Sequence, residues 1–251
     1  MIGISIIARL ESSRLTQKHL IKAAGKPFLE WLILRLKDTF AHEIDHLELE
    51  VCITTSDTAL NRTFSQFESI NGVSVFYGND VNIPLRLKEC ATARNWDAVI
   101  SVDGDDILCS PEACKKVYEA LRDGKSYVKT EGLPLGMNAS GFSTSYLKEV
   151  VADNHDVLET GWGRIFSAAP YIIPFQPLTA EPLRFTLDYP EDANFFESVL
   201  NSYTPDKIIT ATDQDIVETV IEQQFYSLNE QLNDIYWTNF HNQIEKEQDE
   251  Q

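Results

Sequence analysis

This sequence predicts an α/β fold with a mostly parallel central sheet and helices on both faces, and two observations predict it. Strand-like and helix-like stretches alternate four times over residues 2–102, the pattern of parallel strands joined by helical crossovers. The residues able to do chemistry also gather where those strands should end, at Arg9, Thr54 to Asp57, Gly78 to Asp80 and Asp103 to Asp106, the edge at which such sheets bind ligands.

The first strand is the apolar run Ile2 to Ala8, which leads directly into Arg9, Ser12, Ser13, Arg14 and Lys18. Pro27 suits a first helical position, and Leu29, Leu32, Ile33, Leu36 and Phe40 recur at helical spacing after it. Leu47, Leu49, Val51 and Ile53 alternate with charged or polar residues, a second strand that stops at Thr54-Thr55-Ser56-Asp57, where a helix carrying Leu60, Phe64 and Phe67 can be capped. A third strand, Val73 to Tyr77, stops at Gly78-Asn79-Asp80, and a helix through Leu85, Leu87 and Ala91 leads to a fourth, Ala98 to Val102. The second half is less regular. Ser126 to Thr130 reads as a strand, Gly132 to Gly141 as a loop, Thr144 to Val151 as a helix and Thr160 to Arg164 as a loop. Leu183 to Asp188 reads as a strand, Pro190 to Leu200 as a helix opened by proline, and Asp213 as the start of a helical stretch towards Tyr226. From Asn239 the chain is strongly polar and is expected to fray. The expected organisation is one domain over residues 1–238, with an excursion at 131–182 and a polar tail at 239–251.

Composition narrows the function. With 43% hydrophobic and 24% charged residues the 251-residue chain has the make-up of an ordinary globular domain. No apolar run approaches a membrane span and no cationic leader opens the chain, so a cytoplasmic location is expected. Cys52, Cys90, Cys109 and Cys114 show no metal-binding spacing and read as buried thiols in a reducing compartment. A net charge of −18 argues against nucleic acid or an anionic membrane as partner and favours small-molecule chemistry.

Against that acidity, residues 1–26 hold five cations (Arg9, Arg14, Lys18, Lys22 and Lys26) and one acid, Glu11. A strand ending in clustered cations and hydroxyls suits a polyphosphate; the competing reading is a solvated cationic loop. Val102-Asp103-Gly104-Asp105-Asp106 places three carboxylates around a glycine at the end of a strand, where a divalent cation, with magnesium and phosphate the economical pair, or the amides of an Asp-Gly turn would offset their repulsion. Asp188, just before the Pro190 helix, delivers another carboxylate to the same edge, whereas Asp192 reads as a first-turn helix-dipole residue. Trp162 could stack on a sugar ring and Arg164 could pair with a carboxylate; a core tryptophan and a surface arginine are the competing readings.

Taken together, Ile6-Ile7-Ala8-Arg9-Leu10-Glu11-Ser12-Ser13-Arg14-Leu15-Thr16-Gln17-Lys18, Gly25-Lys26-Pro27, Val102 to Leu108 and Leu183 to Asp192 resemble, in the same order, the motifs of the sugar cytidylyltransferases, especially the SpsF-like spore-coat polysaccharide group and the CMP-3-deoxy-manno-octulosonate synthetases. The resemblance implies a Rossmann-like nucleotidyltransferase (GT-A-like) fold, a homodimer, and transfer of CMP from CTP to a hydroxyl-bearing acceptor such as a sugar or sugar acid. It places Mg2+ on Asp105 and Asp188 and the β- and γ-phosphates on Arg14 and Lys18. It places the remaining nucleotide contacts on Ala8, Arg9, Ser12, Ser13, Thr54, Ser56, Gly78, Asp80 and Asp103. The acceptor falls on Gly136, Asn138, Trp162 and Arg164, within the excursion at 131–182. The family has glycine or alanine at Glu11 and Pro-Gly at Thr16-Gln17, so the loop here is bulkier and carries an acid. Two alternatives remain at this stage: a metal-dependent glycosyltransferase using Asp103-Gly104-Asp105, which has no need of Arg14 and Lys18, and a non-catalytic nucleotide-binding subunit.

Overall fold

The structure, a computed structural model, describes residues 1–152 and 156–249. Strand β1 (Ile2–Ile7) is buried along its whole length, as a central parallel strand covered on both faces must be, and its sequence is correspondingly apolar. Gly3 leaves room for the Trp96 ring, which a Cβ would meet at 2.1 Å. A loop and a small hairpin, β2 (Lys22–Ala23) and β3 (Lys26–Pro27), lead into α1 (Phe28–Thr39) and the short α2 (Ala41–Asp45). Strands β4 (Leu49–Ser56) and β5 (Val73–Gly78) follow, then α3 (Ile83–Ala93), whose first turn is capped by Asn82 through Leu85 N at 2.8 Å. Next come β6 (Ala98–Asp103), α4 (Pro111–Arg122), β7 (Tyr127–Glu131), β8 (Ser140–Ser143), α5 (Thr144–Val150) and β9 (Tyr171–Pro174). Helices α6 (Pro190–Asn201), α7 (Pro205–Thr210), α8 (Asp213–Glu222) and α9 (Leu232–Asp249) complete the described chain.

These strands form one sheet in the order β5-β4-β1-β6-β8-β7-β9. The pairs β5-β4, β4-β1, β1-β6 and β7-β9 are parallel, and β8 runs antiparallel to both neighbours, so the sheet is mixed and mostly parallel as expected. Ile4 and Ile6 point into the larger core with α1, α4 and α6, while Ile7 packs on the opposite face with Leu87, Trp96 and Leu147. Among the described residues no helix is long and apolar enough to cross a membrane.

Several expectations about local structure are corrected. The helix expected after Asp57 is a 3-10 helix, Asn61–Ser69; the Asn61 side chain is bonded to Ser56 Oγ at 2.7 Å and to Leu10 N at 2.9 Å, which ties the entry turn to its neighbours. The expected loop Gly132 to Gly141 ends inside β8, because Gly141 lies against Val117 and Leu121 where no side chain fits. Strand β9 was not expected; it is an edge strand and largely exposed, so it carries no apolar signature. Leu183 to Asp188 is extended and buried but forms no strand: its Phe185 and Leu187 amides bond single carbonyls of Leu135 and Asp105, at 2.8 and 2.9 Å. The helix begun at Asp213 ends at Glu222, and Phe225–Leu228 is a separate 3-10 turn entered through Gln224 at φ 56°. The polar segment from Asn239 does not fray but continues α9 to Asp249. Residues 250–251 of the expected tail and 153–155 of the expected excursion lie outside the described residues.

Candidate active site

Register places the ends of three strands together: Ile7 lies opposite Thr54 on one side and Asp103 on the other. Above this edge opens a cleft of about 870 Å³ that receives Arg9, Ser12, Ser13, Arg14 and Lys18 from the loop after β1. Asp103, Asp105 and Asp188 line the same cleft. A shallower hollow of about 680 Å³ beside Gly78 and Glu89 receives neither the loop nor these aspartates.

The loop is shaped by its backbone. Ser12 Oγ accepts from Leu15 N at 3.3 Å, and Gln17 adopts φ 52°, in the region glycine occupies most readily. Gln17 thus stands in a glycine-like conformation at the position where the resembled family has glycine. This turn buries Lys18, whose Nζ lies 2.6 Å from Asp105 Oδ2 and 3.4 Å from Asp188 Oδ1. Burial alone would lower the Lys18 pKa, but Asp105 and Asp188 outweigh it and hold the ammonium above its ordinary value. Arg14 Nη2 reaches Asp188 Oδ1 at 2.7 Å, and its guanidinium lies over the Tyr189 ring at 5.2 Å.

The aspartates stand on a tight turn. Gly104 N donates to Ile7 O at 2.7 Å, and a Cβ at Gly104 would meet that oxygen at 2.8 Å, so only glycine lets the turn lie flat on the end of β1. Desolvation would raise the Asp105 pKa, but Lys18 and His19, whose Nε2 lies 2.9 Å from Asp105 Oδ1, hold it below the usual carboxylate range. Asp103 is pushed up to about 7 by desolvation deep among protein atoms and by Asp105, although its side chain still opens to the solvent of the cleft. Asp106 is pushed well above the ordinary value by burial and by Asp103 and Asp105. Asp188 is oriented from behind by buried Arg184, whose Nη2 donates to its Oδ2 at 2.9 Å and whose Nε donates to Asp192 Oδ1 at 2.9 Å. Asp192 also accepts from Asp188 N at 2.9 Å and Tyr189 N at 3.0 Å, which makes it a brace of this segment as well as a first-turn acid.

The cleft is cationic relative to the rest of the molecule: Arg9, Arg14, Lys18, Arg86, Lys129 and Lys246 line it in a chain whose net charge is −18. A strand edge carrying a cationic loop and paired aspartates has the chemistry that suits a polyphosphate. A family model described as cytidylyltransferase matches residues 3–179, the segment that builds the sheet, the loop and the Asp103 to Asp105 turn.

The chain belongs to the cytidylyltransferase family.

It is 28% identical over 160 residues to the 3-deoxy-manno-octulosonate cytidylyltransferase of a Psychrobacter species, an alignment covering 61% of this chain and 54% of that one. The chain spans between half and two thirds of the length of the first curated relatives it matches. Its fold is similar to that of a cytidylyltransferase from Leptospira borgpetersenii, with a TM-score of 0.75 at 19% identity over 91% of this chain and 97% of the other. It is also similar to a CMP:2-keto-3-deoxy-manno-octonic acid synthetase complexed with CTP, with a TM-score of 0.58 at 16% identity over 80% and 98% of the two chains.

Within this member of the family the expected residues divide into two groups. Ala8, Arg9, Ser12, Ser13, Arg14, Lys18, Asp103, Asp105, Asp188 and Trp162 come together in the cleft. Thr54 and Ser56 do not line it: β4 runs to Ser56, and both side chains are buried, Thr54 Oγ1 accepting from Ser5 Oγ at 2.6 Å and Ser56 Oγ accepting from Asn61. Gly78 lines the shallower hollow, and the Asp80 carboxylate accepts from Asp57 N at 3.1 Å. That corner reaches the cleft through Arg86, which donates to Asn79 O at 2.7 Å and Asp80 O at 3.0 Å and whose pKa burial lowers to about 10. Gly136 lies under Phe185 at φ 87°, where a Cβ would meet the Phe185 carbonyl oxygen at 2.2 Å, and Asn138 bonds Leu133 O at 2.9 Å; both shape the main chain outside the cleft. Arg164 pairs with Glu247 at 3.0 Å instead of facing the cleft.

The sequence reading missed His19, Arg86, Arg184 and the cleft-facing residues of α9. His19 adjoins Lys18, and Arg184 stands four residues before Asp188, so both carried a local signal. Arg86 bonds carbonyls only seven and six residues before it, but no local pattern aims it at the cleft, and the packing of α9 depends on distant partners.

Proposed function

We propose that this protein is a magnesium-dependent cytidylyltransferase that transfers CMP from CTP to a hydroxyl-bearing acceptor, a sugar or sugar acid, and releases pyrophosphate. The observation that carries the proposal is the convergence of Arg14, Lys18, Asp105 and Asp188 in one cleft within a chain of this family. A glycosyltransferase reading gives Arg14 and Lys18 no task, whereas here both reach the aspartates.

The residues fit a magnesium ion. Asp105 and Asp188 already hold one cation, the Lys18 ammonium, at 2.6 and 3.4 Å. They offer hard carboxylate oxygens, and among the described residues no larger cluster could hold a metal by itself. Two carboxylates completed by substrate phosphates are the arrangement magnesium prefers. When bound, the ion would neutralise charge on the reacting phosphate oxygens.

Arg14 and Lys18 bind the β- and γ-phosphates and stabilise charge on the leaving pyrophosphate, with Arg9, Ser12 and Ser13 beside them. Arg86, with Ala8 and Arg9, presents donors to the pyrimidine. The acceptor hydroxyl attacks the α-phosphorus in line: a new O–P bond forms, the bond to the β-phosphate oxygen breaks, and that electron pair leaves with pyrophosphate. Asp103, open to the cleft, takes the hydroxyl proton. Holding both reactants in this geometry supplies much of the rate. A homodimer and a cytoplasmic location, where four free thiols stay reduced, complete the proposal. The sheet is open for pairing at β9, whose Tyr171 and Ile172 are exposed.

The test is pyrophosphate release with magnesium, each nucleoside triphosphate in turn and a panel of sugar and sugar-acid acceptors, 3-deoxy-manno-octulosonate included. Release that requires CTP and one acceptor establishes the reaction and names its product. Release of a nucleoside diphosphate from a nucleotide-sugar donor, with no pyrophosphate from CTP, overturns it.

A further inference from the structure

Helix α9 lies beyond residues 3–179 matched by the family model, yet it supplies a wall of the cleft. Tyr236, Phe240, Ile244 and Glu247 form its packed side, while Asn239, Asn242, Gln243 and Lys246 are exposed to solvent and line the open cleft. Their spacing, i, i+3, i+4 and i+7, is one continuous stripe along the helix. A helix that presents amides and an ammonium to an open cleft is placed to meet a polar ligand.

The helix is fastened at both ends. At its start Asn233 Nδ2 donates to Pro182 O at 3.2 Å; further along, the Tyr236 ring lies 4.5 Å from the Arg184 guanidinium that orients Asp188, and Asn239 Nδ2 donates to Tyr189 Oη at 2.8 Å. Near its end the buried Glu247 accepts from Thr160 N at 2.9 Å and pairs with Arg164 at 3.0 Å, so the loop carrying Trp162 is held against it. Gly161 lets this contact close, because a Cβ there would lie 2.7 Å from Ile244 Cδ1. The stripe therefore spans from the Asp188 segment to the Trp162 loop, leaving Arg9, Arg14 and Lys18 to the phosphates.

We propose that Asn242, Gln243 and Lys246 of α9, together with Trp162, form the acceptor subsite and select a polyhydroxylated ligand bearing an anionic group; this rests on the cytidylyltransferase reading above. Each amide offers a donor and an acceptor, matching a hydroxyl in either role, and the indole offers a flat apolar face to a ring. Lys246 supplies the cation for the anionic group, with Lys129 in the same cleft. The residues first expected here, Gly136, Asn138 and Arg164, are occupied with the main chain and with Glu247.

The experiment is calorimetry on the full chain with CTP, and then with gluconate, glucuronate and 3-deoxy-manno-octulosonate, each against a neutral counterpart (sorbitol, glucose and mannose). The expected result is that at least one anionic member binds more tightly than its counterpart. Gln243→Ala and Lys246→Ala, both at exposed helical positions that leave the fold intact, should each weaken that binding about tenfold with CTP affinity unchanged. A wild-type chain that binds CTP but favours no anionic member overturns the acceptor assignment alone, as does equal affinity in the variants. Failure of the wild-type chain to bind CTP overturns the reading beneath it.

Discussion

Lys18→Ala is the perturbation whose consequences the structure defines most fully. The ammonium is buried and placed 2.6 Å from Asp105 and 3.4 Å from Asp188. Removing one partner of a buried ion pair costs about 3–5 kcal/mol, because the remaining charge is left uncompensated. Asp105 is 29% exposed and Asp188 keeps Arg14 and Arg184, so the low end, about 3 kcal/mol, applies here. In a chain of this size that corresponds to a melting temperature lower by about 6–12 °C. The sign with pH follows from Asp105. Its folded pKa is depressed, so its contribution is fully present above the ordinary carboxylate value and is lost as pH falls through the lower folded one. The gap between wild type and variant should therefore persist down to about pH 4 and close below it. Magnesium should restore much of the lost stability by taking the place of the ammonium between the two carboxylates. Pyrophosphate release should still fall about 10²-fold or more, since a cation on the leaving group is gone. Thermal melts with and without magnesium, across pH, read the first three effects. A variant melting with the wild type at pH 7 and indifferent to magnesium would refute the reasoning about the paired aspartates.

Asp105→Asn should remove the magnesium-dependent rise in melting temperature and most turnover; equal activity of the wild type in chelator would eliminate the metal assignment. Glu159→Gln should tighten CTP binding by up to about fivefold in calorimetry, because Glu159 competes with phosphate for the partly exposed Arg9 and such pairs are worth at most about 1 kcal/mol. Weaker CTP binding would show that Glu159 supports the site instead. Gln17→Gly should keep stability and turnover, whereas Gln17→Val, β-branched at φ 52°, should lower the melting temperature. Equal melting of the two variants would mean that the loop relaxes out of this conformation.

What was legible in the sequence was what local chemistry determines. The apolar run of β1 ending in Arg9, Arg14 and Lys18, and the aspartates around Gly104, are contiguous, and burial of one part forces the position of the next. Thr54 and Ser56 were misplaced because β4 continues three residues beyond its apolar alternation, and their hydroxyls are satisfied by Ser5 and Asn61 inside the sheet. Arg164 was misplaced because its partner, Glu247, is 83 residues away, and composition alone does not say whether an arginine faces a ligand cleft or pairs with a distant carboxylate. The part of α9 from Asn239 was read as a fraying tail because the usual signal of a packed helix is an apolar stripe, and here only Phe240 and Ile244 carry it among polar residues.

The pairings of the free site explain how so acidic a protein can hold a triphosphate. Arg9 is paired with Glu159, Arg14 with Asp188, and Lys18 with Asp105 and Asp188, so no cation of this trio stands uncompensated before substrate arrives. A triphosphate brings its own negative charge and can replace these carboxylates as partner, while a divalent cation arriving with it can replace the cations on Asp105 and Asp188. The exchange gives each group a new partner of the same sign as the one it loses, which lessens the penalty of leaving either set unpaired. Glu11 fits the same logic, since it accepts from Thr58 and so does not face the phosphates unpartnered. One of these pairs also reaches beyond the nucleotide. Glu159, the partner of Arg9, adjoins Thr160, whose amide is held by Glu247 of α9 beside the loop that carries Trp162. The nucleotide loop and the acceptor wall thus share one short chain of contacts.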